Sequence, residues 1–253
     1  MNVKIISNIN KEITSKNFEE DLKKMQNIDL KHYKKKTTVE DLKKYLSEYI
    51  PNENISQNRV MVLLPGNPEI VFKTCLEILN NKADAIIGIQ DFCLAQNTLI
   101  IELINKIIKE NNLKIKLELK NLLKENEIIE LSKKVDKVIC IGDSNLYNRL
   151  ENKITNITLN PYGIFELYSD SEEYEELEKT FFDYCYQNEF EAEDYSDLDF
   201  EDALRLINKN GYKFSAVLFS KDEEKQKKFK TIESKHIIIN KNPFKEINFK
   251  VEF

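Results

Sequence analysis

From residue 59 to residue 142 the chain alternates apolar runs with amphipathic stretches. RVMVLLP (59–65) is apolar and ends in a turn. Pro68 to about Asn81 has helical spacing, ADAIIGI (83–89) is apolar again, and 93–111 is amphipathic. LKIKLEL (113–119), a helical stretch over 121–134 and DKVICIG (136–142) continue the rhythm. Continuous apolar strands joined by helices predict a parallel sheet covered on both faces. Ahead of it, 17–48 carries helical spacing, with Thr38 placed as an N-cap before acidic residues.

Beyond Gly142 the pattern predicts a short helix, strands at TNITL and YGIFELY, and an acidic helix over 171–188. EFEAEDYSDLD (189–199) reads as a polar connection. A helix over 200–210, strand YKFSAVLF, helix KDEEKQKKFKTI, strand HIIIN and a terminal NFKVEF close the chain. The expected class is α/β: a Rossmann-like parallel sheet with helices on both faces, plus a shortened second α/β lobe. The expected division is a helical lead-in over 1–58, a nucleotide-binding-type domain over 59–160, a second lobe over 161–245, and a C-terminal strand or tail over 246–253. The late strands offer an edge through which a second copy would pair, which makes a homodimer the expected assembly.

Composition narrows the partners. The chain has 253 residues, 41% hydrophobic and 32% charged, which is ordinary for a folded domain. Its net charge is -6, from 44 acidic and 38 basic residues. The bases are interspersed with acids and form no stripe for phosphate backbones or anionic lipid; the one basic cluster, LKHYKKK, reads as a solvated turn. Nucleic acid is therefore not expected as a partner, and a protein partner is. No apolar stretch reaches the length of a membrane span, and MNVKIISNINKEI carries charges where a signal peptide is apolar. The expected location is the cytoplasm, away from membranes. The four cysteines share no CxxC spacing and there are only two histidines, which predicts reduced thiols and no metal site.

In an open parallel sheet, ligands sit beyond the carboxyl ends of the strands. After the first run comes Pro65-Gly66-Asn67-Pro68, in which Asn67 is either a plain helix cap or an amide donor for a developing oxyanion. Gln90-Asp91 follows ADAIIGI. Gly142-Asp143-Ser144-Asn145 follows DKVICI, where Gly142 lets a phosphate or ribose approach the backbone and the next helix offers its N-terminus. The letters GDSN also resemble the nucleophile block of lipase-like hydrolases, but the late Asp-x-x-His of that family is missing from ESKHIIIN.

Taken in order, these segments resemble the aldehyde dehydrogenase superfamily. VMVLLPGNPEIVFKTCLEILNNKADAIIGIQD is similar to its strand, Pro-x-Asn turn, helix and second strand. VDKVICIGDSN is similar to the strand before its Gly-Ser cofactor turn, and ITLNPYG to its Leu-Glu-x-Gly-Gly segment. The run from DFEDALRLINKNGYKFSAVLF to HIIINKNP is similar to its closing helix, Phe-Thr-x-Asp strand, helix and Val-x-x-Asn strand. The resemblance spans about 60–243. It implies NAD or NADP as cofactor, Pro65, Asp91, Gly142 and Ser144 near it, Asn67 as the oxyanion amide and Cys185 as the nearest candidate nucleophile.

The same comparison brings out departures. The family's ribose lysine falls near Gly88, and its second turn glycine near Tyr147, whose ring would stand over the phosphate. The base glutamate becomes Asn160, which cannot take a proton. The catalytic cysteine should fall near Glu191 or Ala192, whereas Cys185 sits about two helical turns earlier on an apolar helix face. The Glu-x-Phe-Gly-Pro segment is absent, so that the second lobe is a remnant of the catalytic one, shortened around 190–198. The resemblance therefore implies a shortened, degenerate member without catalysis. The alternative is a minimal NAD(P)-dependent aldehyde, acyl-thioester or acyl-phosphate oxidoreductase using Cys185; reductive members need no hydrolytic base.

Overall fold

A computed structural model describes residues 1, 3–29, 37–49, 58–89, 93–188, 190–210 and 212–245. The chain folds into two compact units. Among the described residues, one comprises Met1–Ile141 with Asn145–Asn160, and the other Gly142–Ser144 with 161–245.

The first unit holds five parallel strands, β1 (Arg59–Leu64), β2 (Asp84–Ile89), β3 (Leu117–Asn121), β4 (Lys137–Ile141) and β5 (Ile157–Asn160), in the order 3-2-1-4-5. α4 (Pro68–Asn81) and α5 (Leu94–Glu110) connect strands on one side of β1, and α6 (Glu125–Ser132) and α7 (Ser144–Leu150) serve the return to β4 and β5. Right-handed crossovers in opposite directions put the two helix pairs on opposite faces. The packing agrees: Met61 and Leu63 of β1 pack with Ile128 of α6 and Leu146 and Leu150 of α7. α4 is buried along nearly its whole length, because α3 (Val39–Glu48) and α5 pack against it and α1 (Val3–Ile13) packs on those two in turn.

Local chemistry sets these boundaries. Asn67 caps α4 and Pro68 occupies its first turn, where a missing N–H costs nothing. Thr38 caps α3, as the sequence pattern predicts, and forms a reciprocal capping box with Asp41. α2 (Lys16–Asp29) and α3 lie within the stretch with helical spacing, and α1 lies ahead of it, inside the lead-in over 1–58 expected to be helical. α1 shows only Ile5, Ile9 and Ile13 as a buried stripe and has no acidic residue in its first turn. The third strand also lies further on than LKIKLEL suggested.

The second unit holds β6 (Ile164–Ser169), β7 (Glu191–Asp194), β8 (Ser215–Phe219) and β9 (His236–Ile239), all parallel, in the order 7-6-8-9. α8 (Glu175–Asn188) packs Phe181 and Cys185 against Phe165, Leu167, Val217 and Phe219 on one face. α9 (Phe200–Lys209) and α10 (Glu223–Phe229) cover the other, with Phe200, Ala203, Ile207 and Phe229 against Tyr168, Ala216 and Leu218. β7 corrects the reading of 189–199 as a plain connection. Its EAED shows no apolar alternation, yet it pairs with β6 from Ile164↔Glu191 to Leu167↔Asp194. It is an edge strand, where charge is tolerated because only one side carries a ladder. Gly163, before β6, holds φ +86, and a Cβ there would lie 2.5 Å from Phe190 Cδ1, so only glycine fits. NFKVEF and the 246–253 tail lie outside the described residues.

Candidate functional site

β1 and β4 are neighbours, with Leu63 beside Cys140. From this pair the strand order runs outward in opposite directions, so the ends of β1 and β4 mark the topological switch point at which doubly wound sheets bind ligands. Two of the predicted turns follow directly, Pro65-Gly66-Asn67 after β1 and Gly142-Asp143-Ser144 after β4.

At the first turn Asn67 is 1% exposed, and its Oδ1 accepts from the Glu69 amide at 2.9 Å. The Gly66 carbonyl accepts from Asn97 Nδ2 at 2.8 Å, which ties the turn to α5. Pro65 is half-buried beside it. At the second turn Gly142 takes φ +65, the left-handed conformation that glycine adopts freely. Ser144 is buried, and its amide donates to Glu191 Oε1 at 3.0 Å. Burial raises the Glu191 carboxyl above its ordinary range, against the opposing hydrogen bonds from Ser144.

A third helix start lies after β2. α5 begins at Leu94, with Cys93 at φ 52 and no side-chain cap of its own. Its free amides are satisfied from a distance: the carboxylate of Asp29, the last residue of α2, accepts from Ala95 N at 3.1 Å, Gln96 N at 3.0 Å and Gln96 Nε2 at 3.0 Å. Asp91 lies outside the described residues. The helix N-termini that would meet an anionic ligand thus already hold groups of this chain: Asn67 at α4, Asp29 at α5 and Glu191 at α7.

Cys185 belongs to the apolar core of the second unit. It is 3% exposed, packs with Phe165, Phe181 and Phe219, and burial pushes its thiol up to about 12. Asn160 ends β5 beside Ile141. Tyr147 is half-buried and packs against the core cluster that includes Met61, Leu63 and Val138. Among the described residues no cluster of three or more metal-ligating side chains occurs, and no helix is long and apolar enough to cross a membrane.

Sequence reasoning passed over Asp29, Glu191 as a ligand of Ser144, and Glu166 in the middle of β6. Glu166 left a readable signal, a lone carboxyl between Phe165 and Leu167 in an apolar run. Asp29 left none, since it meets α5 across more than sixty residues of sequence.

Two parallel sheets, each flanked by helices on both faces, define an α/β chain with a Rossmann-like first unit. No protein-family model and no curated protein matches it. Among solved structures it is similar to gamma-glutamyl phosphate reductase from Thermotoga maritima, with a TM-score of 0.52, 11% identity, and 94% of this chain and 82% of that one covered. It also matches a Bacillus subtilis subsp. subtilis str. 168 protein described as an aldehyde dehydrogenase, with a TM-score of 0.37, 10% identity, and 94% and 80% covered. At such identities the likeness to gamma-glutamyl phosphate reductase shows a shared α/β fold and no more.

Proposed function

We propose that this chain is a shortened aldehyde-dehydrogenase-like protein that has lost catalysis and works in the cytoplasm as a binding or interaction protein. One observation carries the reading. The three helix N-termini that follow β1, β2 and β4 are capped by Asn67, Asp29 and Glu191 of the chain itself, where a dinucleotide would need open amides. The side chains support it: Asn160 cannot act as a base, and a buried Cys185 thiol held near 12 is not an activated nucleophile. In this reading Asn67 is a helix cap, and any residual cleft near Pro65, Asp91, Gly142 and Ser144 holds NAD or NADP weakly or not at all. β9, at the edge of its sheet, is the edge through which a second copy would pair.

The test is a thermal-shift titration with NAD and NADP, together with turnover assays on aldehydes, acyl thioesters and acyl phosphates. A ligand that binds only the folded state raises the melting temperature; no shift and no turnover are expected. Cofactor-dependent turnover that disappears in Cys185→Ala would overturn the reading and establish the minimal oxidoreductase.

A further inference from the structure

Every position of β6 from Ile164 to Ser169 is buried, and one of them is a glutamate. Glu166 is 1% exposed, and its Oε1 meets no hydrogen-bond partner. The β6/β7 register sets it beside Glu193, and residues paired across neighbouring strands project to the same face. Two carboxyls therefore share one side of the sheet. Glu193 Oε2 accepts from Asn210 Nδ2 at 3.0 Å and from the Tyr195 hydroxyl. Glu191, two residues earlier on β7, shares that face and holds the Ser144 amide.

The surroundings supply little to balance two charges. From β7 come Glu191 and Glu193, from the following segment Tyr195, from the residues before β8 Tyr212, and beside Glu191 stands Asp143. α9 turns Phe200, Ala203 and Ile207 to this face, while Glu201, Asp202, Arg205 and Lys209 are exposed. β8 offers Ala216. Lys225 of α10 lies over the Tyr168 and Phe200 rings and is paired with Asp170. Neighbouring carboxyls in a weakly polar interior do not both ionise readily. Burial, then Glu193, raises the Glu166 carboxyl from an ordinary 4.5 to about 8, against an opposing hydrogen bond from the Asn210 side chain.

β7 is the element that would register this proton. It has four residues and, among the described residues, β6 as its one strand neighbour. Beyond its last residue the Tyr195 amide donates to the Leu167 carbonyl at 2.9 Å, and the Ser169 amide donates to Ser196 Oγ at 2.9 Å. We propose that Glu166 is a proton latch for β7: protonated, it lets β7 sit on β6, and loss of its proton to solvent loosens β7 and draws Glu191 away from the Ser144 amide. The sign follows from the raised value. The stabilisation is complete below the ordinary carboxyl range and is lost as pH rises through about 8. The latch does not depend on whether any nucleotide binds.

The experiment is hydrogen exchange on the full chain from pH 6 to pH 8, read on a peptide covering 190–196 and corrected for the intrinsic pH dependence of exchange. In the native chain protection should fall by up to about tenfold per pH unit, the limit for one linked proton, while α4 peptides stay level. Glu166→Gln should flatten the fall. Glu193→Gln should move it to lower pH, because the neighbouring charge is gone. Constant protection in the native chain, or an equal fall in Glu166→Gln, overturns the latch. If Glu166→Gln does not fold, infrared spectroscopy of the native chain decides. A protonated-carboxyl band that fades as pH rises through about 8 and moves in Glu193→Gln supports it, and no such band at pH 6 overturns it.

Discussion

The amide of Ser144 donates to Glu191 Oε1 at 3.0 Å, so a carboxylate of the chain occupies the first turn of α7. A carboxylate at a helix start gains from both the hydrogen bond and the helix dipole. Glu191→Ala should therefore cost about 1 kcal/mol in urea unfolding, and Glu191→Gln, which keeps an acceptor but no charge, should cost less. Equal losses would mean that the charge alone stabilises this helix start, and no loss in Glu191→Gln that the charge contributes nothing at Ser144.

Asp29 satisfies three donors at the start of α5, a helix without a side-chain cap of its own. Asp29→Ala leaves part-buried donors open, and about 1 kcal/mol of stability should be lost. Exchange of the Ala95 and Gln96 amides should accelerate more than that of the amides in the middle of α5. Uniform acceleration along α5 would indicate global destabilisation and no cap.

Gly163 combines φ +86 with a space that Phe190 closes. Gly163→Ala should destabilise by at least about 1 kcal/mol, from the left-handed backbone and the displaced ring together. Gly163→Ala with Phe190→Leu should recover part of the loss, because the ring is relieved while the backbone conformation is not. Chemical denaturation of the two variants separates the contributions.

Cys185 should resist alkylation. With the thiol near 12, at pH 8 only about one molecule in ten thousand carries the thiolate that reacts. Iodoacetamide should modify it no faster than the chain unfolds, and labelling should rise sharply in denaturant. Fast labelling of the folded chain would restore Cys185 as a nucleophile.

The alternation from Arg59 to Ile141 was legible because β1, β2 and β4 are nearly continuous apolar runs and the start of α4 carries a local signal. Asn67-Pro68 placed α4 to the residue. The same held for Thr38 at α3. β7 was illegible for the opposite reason: an edge strand of EAED takes its conformation from the β6 ladder, not from its own side chains. The candidate site divided along similar lines. Asn67, Gly142 and Ser144 could be placed because they follow directly on strands. What occupies them could not, since Asp29 and Glu191 arrive from distant parts of the chain, and no local pattern encodes a contact of that range.

The second sheet has two unlike margins. On one side β7 presents Glu191, Glu193 and Asp194, and on the other β9 runs His236-Ile237-Ile238-Ile239. A strand approaching the first meets negative charge, while one approaching the second meets an uncharged aliphatic rim. Two copies joined along β9 would leave β7 outermost on both flanks, so this sheet would be self-terminating: a closed pair whose two outer margins both repel a further strand by their charge.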